Sequence, residues 1–265
     1  MKNILVPVGS TKNAVSNLQY AIDLAKEVGA KVHVISVYPI YSKVGSLSRM
    51  NEILKQDAED FLNNALSQVN KKGVELKIYP IHGSVVDRIM QFDKQISVDL
   101  MVLSPRSNSI SEEVYLGNTS GKLLKLTNIP LLIVPEGMVF QKPKVVLMAF
   151  KNGSFKRENM LSPLEKMMER FKMELHILHV ETPESTEKML HVTKNIKSLK
   201  TTYERVENAT TFQGLLENFQ RFQPDIICVV RRKRGFFKKL MEKNVILKRE
   251  FHTSKPLLVL QVQTQ

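Results

Sequence analysis

The stretch from Val74 to Val134 recurs, without a gap, 126 residues further along the chain. Asp99 and Pro130 stand 31 positions apart, and so do Asp225 and Pro256. The shift sets Val98-Asp99-Leu100-Met101-Val102 on Pro224-Asp225-Ile226-Ile227-Cys228. It also sets Pro130-Leu131-Leu132-Ile133-Val134 on Pro256-Leu257-Leu258-Val259-Leu260. Apolar strands match by chance, but a register held over such a length is the mark of an internal duplication. Nearer the starts the offset is 143, where Val32-His33-Val34-Ile35-Ser36-Val37 meets Leu175-His176-Ile177-Leu178-His179-Val180. The 17 missing residues fall after Glu181, so Pro183–Leu199 is expected to replace the second helix with a shorter segment. The chain must therefore fold the same way twice.

Each copy alternates short apolar runs with helix-length amphipathic ones. In the first, Asn3–Val8, Lys31–Val37, Val74–Ile81, Asp99–Leu103 and Pro130–Val134 read as strands. Asn13 to Val28 carries a helical stripe of Ala14, Leu18, Ala21, Ile22, Leu24 and Ala25, with Gly29 as its stop. Leu47–Val69, Ser84–Ile96 and the region Asn118–Leu126 read as further helices. Parallel strands need long crossovers, so this alternation predicts an α/β fold of two tandem, doubly wound, five-stranded, mostly parallel sheets flanked by helices. The boundary falls at Gln141-Lys142-Pro143, giving domains 1–140 and 141–265.

Charge is distributed unevenly between the copies. Residues 1–140 carry 15 basic and 13 acidic groups, whereas residues 141–265 carry 24 and 13. The second half is thus the one suited to an anionic partner. The single cysteine, Cys228, excludes an intrachain disulfide and a thiolate metal cage, and its apolar run marks it as a buried structural thiol. The start is too short in apolar residues for a signal peptide, and no run reaches the length of a membrane span, so a cytoplasmic protein is expected. His33 and His176 occupy equivalent strand positions, while His82, His179, His191 and His252 are scattered. Without ligand spacing they read as satisfied structural histidines, and no metal is expected. No nucleophile elbow, Cys/His pair or phosphate-binding Walker loop is present, which argues against an enzyme.

Ligands of open α/β sheets sit beyond the carboxyl ends of the strands, where helix N-termini present unpaired N–H groups. Gly9-Ser10-Thr11-Lys12 lies there. So do Ser104-Pro105-Arg106-Ser107 and Leu116-Gly117-Asn118-Thr119-Ser120. Their hydroxyls and bare amides suit a phosphate, but Ser and Thr at helix starts are also ordinary caps, the commoner role.

With these loops in view, the chain resembles the universal stress protein family in its tandem, two-domain form. NILVPVGSTKNAVSNLQYAIDLA is similar to that family's first strand, loop and helix, and LGNTSGKLLKLTNIPLLIVP to its last loop, helix and strand. The resemblance spans both halves. It implies the strand order 3-2-1-4-5, pairing of the domains through their fifth strands, and ATP binding in some members. Such pairing would cover two apolar edges, Pro130–Val134 and Pro256–Leu260, as a pseudo-dimer within one chain. The ATP-binding members share an Asp closing the first strand, then G-x2-G-x9-G-[S/T] before the last helix. By this resemblance Gly9 stands at the Asp, Ser104 and Ser107 at the first two glycines, Gly117 at the third and Asn118 at the hydroxyl step. Ser120 agrees with a hydroxyl often found two residues on. Serine for glycine costs roughly 1 kcal/mol or more per position, and a lost charge-assisted bond about 1.5–3 kcal/mol. Together these weaken ATP by about three orders of magnitude.

In the second half, Val230 and Lys233 fall at the glycine positions and Lys243-Asn244 at the Gly-[S/T] step. The loop there contains Arg231, Arg232, Lys233, Arg234, Lys238 and Lys239 around Phe236 and Phe237. A solvated loop is the plain reading. An anion or partner site comes next, then nucleic acid with phosphate contacts and base stacking, which one small cluster supports poorly, and last a membrane surface. The sequence thus predicts a non-enzymatic stress-response protein acting through protein partners as yet unknown, as a monomer or a homodimer. No cofactor is expected and ATP binding is weak or absent; the alternative is an ATP switch using the first domain only.

Overall fold

Strand β1 (Asn3–Pro7) shows why the fold needs two helical layers: Ile4, Leu5 and Val6 point alternately to opposite faces, yet all are completely buried. The computed structural model describes residues 1–9, 13–38, 47–104, 122–124, 126–150, 161–183, 201–209, 211–231 and 255–261. By compactness the chain divides into two units.

The first unit holds β1, β2 (Lys31–Tyr38), β3 (Leu76–His82) and β4 (Leu100–Leu103), all parallel, in the order β3-β2-β1-β4. Helix α1 (Ala14–Val28) joins β1 to β2, α2 (Leu47–Ser67) joins β2 to β3, and α3 (Val85–Ile96) returns to β4. Right-handed crossovers in opposite directions put α3 on the face away from α1 and α2. The predicted stripe of α1 is its buried face, and Gly29 ends the helix at φ 68°, its amide donating to the Ala25 carbonyl. Strand β3 starts two residues later than the sequence suggests, because Lys72 and Gly73 turn the chain through positive φ. Pro80 lies in this outer strand, where a missing amide is tolerated.

The second unit holds β6 (Val145–Phe150), α4 (Ser162–Phe171), β7 (Glu174–Glu181), β8 (Thr201–Glu207), α5 (Thr211–Phe222), β9 (Ile226–Arg231) and β10 (Leu257–Gln261). Its copy reads β8-β7-β6-β9-β10, the order 3-2-1-4-5. Strand β5 (Leu131–Ile133), the last strand of the first repeat, groups with this unit and runs antiparallel to β10: Ile133 faces Leu257, Leu132 faces Leu258 and Leu131 faces Val259. The antiparallel contact expected of the fifth strands is thus present. Residues 122–124 and 126 are helical, as expected. The segment expected to shorten the second helix lies outside the described residues beyond Pro183.

The duplication extends to single hydrogen bonds. Asp99 Oδ2 accepts from the amides of Lys2 and Asn3 at 2.6 and 3.0 Å, and Asp225 Oδ2 from those of Lys144 and Val145 at 2.7 and 3.1 Å. In each unit a carboxylate before the fourth strand therefore fixes the entry of the first. Asp225→Ala is expected to cost about 2 kcal/mol, since two amides lose a charged acceptor, and Asp99→Ala about the same. Urea denaturation of the two variants measures this, and midpoints equal to that of the parent chain would show the carboxylates to be dispensable.

Candidate functional site

The residues predicted for a ligand crevice can be placed only in part. Gly9 and Ser104 follow the carboxyl ends of β1 and β4, which are hydrogen-bonded neighbours, so the fold brings these two positions to one edge. Ser10, Thr11, Ser107, Gly117, Asn118, Thr119 and Ser120 lie outside the described residues. Of the basic cluster, only the backbone of Arg231 is described, ending β9 opposite Gln261. Arg232, Lys233, Arg234, Lys238 and Lys239 lie outside.

The chain leaves β1 through Val8, which is buried and donates its amide to the Ile35 carbonyl at 2.8 Å. Gly9 is exposed, its φ is outside the left-handed region, and a β-carbon built on it meets nothing within 4 Å. Neither backbone nor packing requires glycine there. Asn13 precedes α1 and is buried, but its side chain makes no capping bond. The first turn of α1 contains no acidic residue.

Asn17, one turn further along α1, escaped the sequence reading. It is 5% exposed, its Nδ2 reaches the Val102 carbonyl at 3.4 Å, and its Oδ1 has no hydrogen-bond partner. Asn51, near the start of α2, has a buried Oδ1 in the same state. The signal in the sequence was an amide beside Leu18 within the apolar stripe. A buried acceptor left without a donor costs about 1–3 kcal/mol, a cost that these two oxygens carry among the described residues of the first unit.

The second unit is built differently at the corresponding edge. Phe150 ends β6 at the place of Val8, and His179 on β7 stands at the place of Ser36. Both are buried. Their rings stack at 5.8 Å, and the Tyr203 hydroxyl lies 3.1 Å from His179 Nδ1. Aromatic rings thus occupy volume that the first unit leaves to small side chains.

Elsewhere the chemistry is structural. His33 is buried between Asn3 and Tyr79, as expected of a satisfied strand histidine. Cys228 is fully buried, and burial pushes its thiol pKa far upward, so it supplies no thiolate. Among the described residues, no group of three or more His, Cys, Asp and Glu side chains could hold a metal ion, and no helix is long and apolar enough to cross a membrane.

The sequence profile of the universal stress protein family matches residues 1–135, just over half of the chain. The chain belongs to that family. Universal stress protein MJ0531 of Methanocaldococcus jannaschii is 25% identical over 140 residues, which cover 51% of this chain and 82% of that protein. Universal stress protein YxiE of Bacillus subtilis is 25% identical over 143 residues, covering 49% and 97%. The crystal structure of a universal stress protein from Archaeoglobus fulgidus superposes with a TM-score of 0.73 at 18% identity, covering 98% of this chain and 96% of that one. That likeness shows the fold, and it shows it for both repeats. Within this universal stress protein, Gly9 puts no carboxylate at the end of β1, and Ser104 stands at the end of β4.

Proposed function

We propose that this universal stress protein serves the stress response in the cytoplasm without catalysing a reaction, through protein partners, as two repeats spanning 1–140 and 141–265. ATP binding is weak or absent. The observation that carries this reading is the open, carboxylate-free position at Gly9, next to Ser104 on the neighbouring strand end. The aromatic stack of Phe150 and His179 supports the same reading for the second repeat. Isothermal calorimetry with ATP and Mg²⁺ tests it. The expected result is no saturation below the millimolar range, whereas a dissociation constant in the low micromolar range overturns it in favour of an ATP switch in the first repeat.

The charge excess of residues 141–265 favours a second reading, an anionic partner for the segment Arg231–Lys239. Counterion release makes such binding fall steeply with salt. Oligonucleotide affinity that stays flat between about 50 and 200 mM salt eliminates nucleic acid as that partner.

A further inference from the structure

His33 bridges three strands of the first unit. Asn3 Nδ2 donates to the Ile96 carbonyl at 2.7 Å, which turns Asn3 Oδ1 towards His33 Nε2, 3.1 Å away. Nε2 therefore carries the hydrogen, and Nδ1 accepts from the Tyr79 hydroxyl at 3.2 Å. The imidazole lies 5.7 Å from the rings of both Tyr79 and Phe92 and is 4% exposed. This set of contacts satisfies a neutral ring of one tautomer.

A proton added at Nδ1 meets the hydrogen of the Tyr79 hydroxyl. The phenol can rotate to accept, but the new charge remains buried. The charged groups around it are Lys31 on β2, Lys77 on β3 and Glu75 just before β3, and Glu75 is already shared between the two lysines, at 2.8 and 3.4 Å. From β1 and α3 the facing groups are Asn3 and Phe92, which are uncharged. The nearby Asp99 is engaged by two amides. Burial and then Lys77 hold the imidazole below its ordinary pKa. A neutral ring is thus worth most above the ordinary histidine value of about 6.5, and its contribution is lost as pH falls from there towards the lower folded value.

The equivalent corner of the second unit is more open. His176 is less buried, bonds to Thr202 Oγ1, and has the Glu174 carboxylate 3.8 Å from Nε2. Strand β8 has a histidine tie of its own, the Tyr203 hydroxyl lying 3.1 Å from Nδ1 of the buried His179.

We propose that His33 is an acid-released latch: its protonation loosens the outer strand β3 from β2. Strand β3 is the element that yields, because among the described strands β2 alone pairs with it and Tyr79 is its tie to the buried ring. The full chain tests this by hydrogen exchange at pH 7.5, 6.0 and 5.0, with rates corrected for intrinsic exchange. Protection of the Leu76–His82 amides, Pro80 having none, is expected to fall about tenfold for each unit by which the His33 pKa is lowered. His33→Gln should abolish the pH dependence. Lys77→Gln, at an exposed position, should raise the pH of opening by about a few tenths of a unit at low salt, which keeps the test decisive if the first variant fails to fold. Constant β3 protection down to pH 5.0 overturns the latch, as does an opening that stays pH-dependent in folded His33→Gln or one that Lys77→Gln does not shift.

Discussion

Replacing Ile133 and Val259 together with lysine lowers the stability of the chain by about 5 kcal/mol or more. Each side chain is within 1% of full burial, and they flank the antiparallel contact, Ile133 opposite Leu257 and Val259 opposite Leu131. Removing an aliphatic group from such a place forfeits about 1.5–3 kcal/mol, and an ammonium without a partner costs several more unless its stem reaches water. The measurement is chemical denaturation, with Ile133→Val and Val259→Ile as a volume-conserving control expected to stay within about 1.5 kcal/mol. An unchanged midpoint in the lysine variant would mean that the β5–β10 contact contributes nothing to the fold.

The second large effect is a gain. Gly9→Asp is expected to raise ATP affinity by about tenfold to a hundredfold, the equivalent of one charge-assisted hydrogen bond of about 1.5–3 kcal/mol. The side chain enters open space and the backbone needs no left-handed φ, so stability should change by less than about 0.5 kcal/mol. Gly9→Ala separates chemistry from sterics: it should leave both affinity and stability where they are. A folded Gly9→Asp protein with unaltered affinity would show that the end of β1 does not face the nucleoside.

Much of this architecture was legible because a copied pattern is read twice. β2 and β7 are both eight residues long at an offset of 143, and α3 and α5 are both twelve at an offset of 126, the offsets read from the strand sequences. The strand histidines were legible too, since an imidazole amid β-branched residues must find partners within the sheet. What stayed hidden depends on who lies opposite whom. Leu131–Ile133 looks like any closing strand, and its grouping with the second unit follows from a pairing far away in sequence. Phe150 and His179 continue ordinary strand patterns, so nothing local reveals that their rings stack. Asn17 was hidden by its neighbours: one amide in an apolar stripe looks like noise until its oxygen is found without a donor.

The twin carboxylates Asp99 and Asp225 lie at the amino-terminal rim of the strands, the rim away from the loops that would meet a ligand. Register is anchored where nothing needs to vary. The opposite rim is then at liberty to drift, which is how a duplicated gene can keep one blueprint while giving its halves unlike mouths. Loop grafts between the repeats should accordingly be tolerated wherever they leave those anchors untouched.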